Sequence, residues 1–313
     1  MANVVLLAGG VGGGKFAHGL QARIGERLTV VVNTGDDLER HGLPIWPDHD
    51  SVLYNLANQD DRERGWGLRD ETWGVSEQLE RLGQETWFRL GDRDIATHLI
   101  RAELLRAGTR PTEVARRLGV AFGIAARILP MADEPIRTLV RTDAGWLEFQ
   151  EYFVHRHQAD EVREVRFAGA EAAAMSWEVS TAIGSADAIL VGPSNPIVSI
   201  GPILAVPGIA DTIAEARRRG TPVAAVSGIV GGKALRGPAD RMLASLGHEP
   251  TALGVARIYA PSVDALVIDH ADASLAPAIE SLGLRVKVTD TIMTDDAARA
   301  RLAGEVLEFA VAR

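Results

Sequence analysis

The chain has 313 residues, 46% of them hydrophobic and 24% charged, a balance that excludes extensive disorder and suits an α/β protein with a substantial core. Its formal charge of −9 argues against non-specific nucleic-acid binding, and the absence of cysteine excludes disulfides, zinc–thiolate sites and thiol nucleophiles. No apolar run approaches about 18 residues and no basic, apolar leader opens the sequence, so a soluble cytoplasmic protein with no membrane partner is expected.

The first element is a buried strand over Val4 to Ala8, which breaks into five glycines around Val11 and ends at Lys15. Backbone N–H groups there, a helix beginning near Lys15 and the Lys15 ammonium together make a phosphate nest. Gly9-x4-Gly14-Lys15 has P-loop spacing, but Phe16 stands where the magnesium-binding hydroxyl belongs. Gly12-x-Gly14-x-x-Ala17 also fits the alanine variant of the dinucleotide fingerprint, with Asp36 and Asp37 about 20 residues on. A nicotinamide-dependent oxidoreductase and a non-enzymatic nucleotide-binding regulator therefore remain open at this point.

A second strand, Leu28 to Asn33, runs into Thr34-Gly35-Asp36-Asp37, and strand, loop, helix, strand is the opening unit of a parallel sheet. Ligands of such sheets sit beyond the carboxyl ends of the strands, so the glycine loop and NTGDD face one crevice. Asp48 and Asp50 fall in the first turn of the next helix, where carboxylates serve as caps or as oxygen ligands for Mg²⁺. Asp36, Asp37, Asp48 and Asp50 beside one phosphate nest make a coherent metal site.

After a tryptophan-spotted connection, a helix opens near Asp92 with Ile95, Leu99 and Ala102 as its apolar stripe, leaving Arg101 and Arg106 on a solvated face. Thr112 to Leu118 reads as a helix, and Arg137 to Phe153 alternates like a hairpin turning at Asp143-Ala144-Gly145. Buried strands return at residues 186–191, 222–226, 263–269 and 285–290. Two of them lead into loops with binding chemistry, Gly192-Pro193-Ser194-Asn195-Pro196 and Gly231-Gly232-Lys233. The last helix, capped at Thr294, packs on the sheet through Leu302, Val306, Phe309 and Ala310. The expected fold is α/β, a Rossmann-like three-layer parallel sheet. Residues 1–313 form a single nucleotide-binding domain, with a helical and hairpin insertion at about 60–167.

In order, GGVGGGK, NTGDD, Asp48-x-Asp50-x-Val-Leu-Tyr, LGDRDxATH, GPSNP and VGGKALxGPAD closely resemble one family across the whole chain. It is the 2-phospho-L-lactate transferase family of coenzyme F-420 biosynthesis. Met175-Ser176-Trp177-Glu178 departs from the smaller, proline-containing sequence of that family. The resemblance implies a guanosine diphosphate donor carrying lactate, enolpyruvate or glycerate on its terminal phosphate. It implies transfer of the phospho-acid to the ribityl hydroxyl of the deazaflavin FO with release of GMP, a Mg²⁺ requirement and a homodimer. On this basis Gly10, Gly12, Gly13 and Lys15 are expected at the nucleotide phosphates, with Asn33 and Asp36 among the binding residues beside them. Asp37, Asp48 and Asp50 are expected as metal ligands and catalytic carboxylates, one of them acting as base. Arg93, ahead of Arg89, is placed on phosphate or FO, Ser194 and Asn195 on FO or guanosine, and Gly231, Gly232 and Lys233 on the phospho-acid.

Overall fold

The computed structural model describes residues 2–312. Numbering only the strands of the central sheet, β1 is Val4–Ala8, β2 Leu28–Val32, β3 Arg127–Pro130, β4 Ala188–Val191, β5 Val223–Val226, β6 Ala265–Asp269 and β7 Arg285–Thr289. All neighbours run parallel, in the order β7-β6-β5-β4-β1-β2-β3. The order reverses between β1 and β4, and the crevice above that switch point is where such sheets bind ligands.

Alternation along each strand divides the core in two. Val4, Leu6 and Ala8 face the helices Gly10–Ile24, Pro47–Leu56, Pro111–Ala121 and Asp296–Val311, meeting Phe16, Val52, Val114 and Leu302. Val5 and Leu7 face the opposite helices Trp177–Gly184, Ile209–Arg218 and Ala252–Tyr259, through Ile183, Ile213 and Ala256. The sheet is thus covered on both faces, which is why its strands read as continuous apolar runs. Among the described residues no single helix is long and apolar enough to cross a membrane.

Five expectations about the elements change. The first helix starts at Gly10, five residues before Lys15, so most of the glycines are helical. Arg127–Pro130 is a seventh sheet strand inside the stretch read as an insertion, and the helices Asp92–Arg106 and Pro111–Ala121 belong to the crossover leading to it. Its four residues end in proline, which an edge strand tolerates but which obscures the strand pattern. The hairpin Arg137–Thr142/Gly145–Glu148 forms and gains a third strand, Glu164–Ala168, but Glu151–His155 is helical. On the helix Asp92–Arg106 the buried side chains are Thr97, His98, Arg101 and Ala102, whereas Leu99 is 53% exposed. The final helix is capped by Asp295, which accepts from the Ala298 N–H at 2.8 Å, one residue after Thr294.

The first and last helices touch at Gly19, where any Cβ would be driven into the Arg299 carbonyl. Gly19→Ala should therefore destabilise the protein by roughly 1–3 kcal/mol in urea unfolding. An unchanged midpoint would mean that these helices can part without loss.

Candidate active site

The loops after β1, β2, β4 and β5 meet in a cavity of about 790 Å³. Its lining includes residues 9–12, Asp36, Asp48, Asp50, Pro193, Ser194 and Asn195, and an aromatic group of Trp87, Phe88, Phe149, Phe153 and His155. A volume of that size holds a large ligand or two substrates side by side.

The glycines after β1 have two separate reasons. A Cβ on Gly12 would enter the Pro193 carbonyl, and one on Gly13 would come within 2.8 Å of both Ala8 Cβ and Ser194 Oγ. Gly13 is a packing residue that lets the helix lie against β1, and it does not line the cavity. Gly10 has φ +62°, and its N–H donates to the Asp48 carboxylate. The remaining first-turn N–H groups have no partner within the helix and carry its positive dipole end, a natural anion site. Lys15 points elsewhere: it lines a small recess with Asp60, Arg62 and Trp66, where burial and then Arg299 and Arg236 lower its pKa.

The carboxylates separate into two kinds. Asp36 and Asp48 are buried, and burial reinforced by Asp48 lifts Asp36 well above the usual range. Burial pushes Asp48 up to about 6 despite hydrogen bonds from Asn33 and the Gly10 N–H. Asn33 is committed to this arrangement: its Nδ2 donates to Asp48 Oδ2 at 2.9 Å and to the Val198 carbonyl at 3.3 Å, and its Oδ1 accepts from Gly35 N–H. It orients Asp48 and does not line the cavity. Asp37 lies behind the cavity wall, its pKa also raised by burial against the opposing pull of Arg137 and Arg101.

Asp50 behaves oppositely. Burial alone would raise its pKa, but the Arg101 guanidinium bonded to Oδ1, with His49 Nδ1 at 3.0 Å, holds it well below the carboxylate range. Arg101 is fully buried, lies 4.4 Å over the Trp46 ring, and reaches His98 Nδ1 at 2.9 Å. A guanidinium only donates, so His98 Nδ1 is the acceptor and the proton of the neutral ring sits on Nε2, which faces Asp94 Oδ2 at 3.3 Å. Tyr54 donates its hydroxyl to the other Asp94 oxygen. Asp50, Asp94 and His98 are close enough together to suggest a metal cluster, yet Arg101 already supplies its cation.

The cavity carboxylates with no cation bonded to them are Asp36 and Asp48. Asp36 Oδ1 and Asp50 Oδ2 are buried without a hydrogen-bond partner, and all three side chains line the cavity. Mg²⁺ takes few protein ligands and fills the rest of its shell with water and phosphate, so the Asp36/Asp48 pair suits it without a cage of three carboxylates.

Other expected residues are placed differently. Ser194 bridges the two central loops, accepting from Gly9 N–H at 3.1 Å and donating to the Gly9 carbonyl at 2.8 Å. Asn195 Oδ1 caps the next turn by accepting from Ile197 N–H at 2.9 Å. Both line the cavity, but these polar atoms already have partners. Arg93 donates to the Arg69 carbonyl away from the cavity, whereas Arg89 lines it while stacking 4.2 Å over Trp73. Gly231 and Gly232, at φ +56° and +76°, form the turn of a hairpin whose strands are Ile229–Val230 and Lys233–Ala234. Lys233 is 82% exposed and 3.9 Å from Asp240, outside the cavity. The primed turn turns its glycines to chain reversal, leaving the following residues 236–239 to reach the wall.

Sequence reading missed the aromatic group. Trp87 stacks on His155 at 4.8 Å and 6°, and Phe149 on Phe153 at 5.5 Å and 8°. Phe149 and Phe153 have helical i, i+4 spacing, a signal hidden when the segment is read as a strand.

A family model described as 2-phospho-L-lactate transferase CofD matches residues 4–301. The chain belongs to that family. It is 42% identical to a phosphoenolpyruvate transferase of Kitasatospora aureofaciens, with 98% of this chain and 97% of the relative covered. Identity to a 2-phospho-L-lactate transferase of Methanosarcina acetivorans is 40%, with 98% of each covered. A solved Bacillus halodurans protein of the UPF0052 family superposes with a TM-score of 0.65 at 15% identity, over 98% of this chain and 99% of that one, a likeness of fold. Membership of a transferase family decides against the oxidoreductase left open by the glycine pattern.

Two outcomes follow from the charges. For Asp48, folded-state stabilisation is fully present below the unfolded carboxylate pKa and is lost as pH rises through about 6. In metal-free buffer at pH 8, Asp48→Asn should therefore unfold at higher urea than wild type, by on the order of 2–3 kcal/mol, with the gap closing near pH 4. An equal gap at both pH values would show that Asp48 ionises without strain. Arg101→Ala leaves Asp50 buried without its cation and should lower stability by roughly 3–5 kcal/mol, measured in the same way.

Proposed function

We infer that this transferase moves a phosphorylated three-carbon acid from a guanosine diphosphate-linked donor to the terminal ribityl hydroxyl of the deazaflavin FO, releasing GMP, in coenzyme F-420 biosynthesis. One observation carries the reading: a single cavity joins a helix N-terminus and an unneutralised acid pair to a wall of flat aromatic side chains. The helix N-terminus and acids suit a pyrophosphate diester with a divalent cation, and the aromatic group suits a planar heterocycle. The activities named for the two relatives differ only in the acid carried, consistent with one shared site.

In this reaction the acceptor hydroxyl attacks the phosphorus that bears the acid, the bridging P–O bond breaks and GMP departs with that oxygen. The first-turn N–H groups after Gly10 would hold the pyrophosphate oxygens where charge develops. Mg²⁺, held by Asp36 and Asp48, would supply charge neutralisation on the pyrophosphate. Asp50 is too weak a base beside Arg101, so the hydroxyl proton would pass to an oxygen of Asp36 or Asp48 that is not on the ion. Trp87, Phe149 and Phe153 would orient FO by stacking. A cytoplasmic homodimer is part of the same proposal.

The test incubates the protein with Mg²⁺, FO and each of the lactyl, enolpyruvyl and glyceryl donors, then follows GMP and phospho-acid-linked FO by mass spectrometry. Turnover with at least one donor is expected, falling at least 100-fold in Asp36→Asn. GMP-free mixtures with all three donors would defeat the proposal and leave a nucleotide-binding regulator.

A further inference from the structure

The tryptophan-spotted connection and the second glycine loop meet above the cavity, and a single arginine joins them. Arg236 Nη1 donates to the Gly65 carbonyl at 3.0 Å and to that of Arg64 at 3.4 Å. The contact is tight on its other side too: Gly65 sits at φ +81°, and a Cβ there would be driven into the Arg236 guanidinium. The loop receiving it is rigid, because Arg64 lies 4.7 Å over Trp66 and 4.9 Å over Trp73, and its Nη2 donates to the Leu68 carbonyl at 2.8 Å.

Arg236 differs from the other basic residues around the crevice. Lys15 lines an adjoining recess, Arg93 bonds the Arg69 carbonyl, Arg89 lies over the Trp73 ring, and Arg101 is neutralised by Asp50. Arg236 lines the cavity with residues 10–12, and only neutral carbonyls are bonded to it among the described residues. Its Nε and Nη2 hydrogens remain available, a planar fork matched to two oxygens of one phosphate. The same cavity presents Asp36 Oδ1 and Asp50 Oδ2, buried and unpartnered, so it is built for a charged ligand with a cation. An anion bound at the helix N-terminus there gains a second positive wall.

Resting on the transferase reading above, we propose that Arg236 is the donor clamp of this crevice. Held on the Gly65 carbonyl through Nη1, it presents its free guanidinium edge to the pyrophosphate of the bound nucleoside diphosphate, with the Gly65 loop as its fixed support. The carboxylate of the three-carbon acid is a different anion on the same donor, and the experiment separates the two.

Calorimetric titration with GDP in Mg²⁺ buffer is run on wild type, Arg236→Ala and Arg236→Lys, alongside FO binding by its fluorescence. Arg236→Ala should bind GDP about 10- to 100-fold more weakly, with Arg236→Lys in between. FO affinity and the thermal midpoint should stay at wild-type values, which a merely structural role for this exposed side chain would not allow. Unchanged GDP affinity in Arg236→Ala, with wild type binding GDP, overturns the clamp and leaves the transferase reading standing. Unchanged GDP affinity together with weaker binding of a complete guanylylated acid would place Arg236 on the carboxylate and also overturn it. Failure of wild type to bind GDP would remove the transferase reading, and the clamp with it.

Discussion

The constraint on which the site depends is the burial of carboxylates without enough cations beside them. Asp36 and Asp48 sit at the carboxyl ends of the strands, out of water, and only Asp50 of the neighbouring acids has a guanidinium bonded to it. An isolated buried charge is costly, so these two hold their protons more tightly than exposed aspartates do. Strain of this kind persists only where the surroundings over-determine the geometry. Here β1 is buried along its whole length between β2 and β4, and apolar cores on both faces fix the loop ends.

The pair of opposite solutions inside one helix is instructive. Asp48 and Asp50 are two residues apart in the first turn of Pro47–Leu56, yet one looks toward Asn33 and the glycine helix, the other toward Arg101. The first is left short of positive charge, which a divalent ion would provide; the second is permanently neutralised and anchors the helix Asp92–Arg106. That anchor also fixes His98, whose tautomer is set by Arg101, and through it Asp94 and Tyr54 at the cavity wall. Removing a buried guanidinium here would disturb the walls of the site as well as the stability of the fold.

The glycine-rich stretch combines demands that sequence alone presents as one. Gly12 and Gly13 allow close approach of helix to loop and strand, while Gly10 permits the positive φ at which its N–H meets Asp48. Once the helix starts at Gly10, Lys15 is carried a turn and more into it and away from the ligand end. The lysine of a P-loop is therefore absent in position as well as in its magnesium-binding hydroxyl, since Phe16 is core.

Apolar runs, glycine breaks and turn residues determined the parallel α/β sheet, because a strand buried on both faces leaves a continuous hydrophobic signature in local sequence. Ordered motifs determined the family, and the aspartates near the crevice were legible because Asp36, Asp48 and Asp50 all follow strand ends or open a helix. Tertiary structure alone decided which of those acids is neutralised, since Arg101 lies 51 residues from Asp50 and sits on a helix whose periodicity pointed Leu99 inward. It also decided that Gly231 and Gly232 turn a hairpin, that Arg236 reaches the cavity, and that Phe149 stacks on Phe153 in the cavity the acids line. The physical reason is the same in each case: secondary structure follows from neighbours along the chain, whereas charge compensation and wall-building follow from partners that only the folded topology brings together.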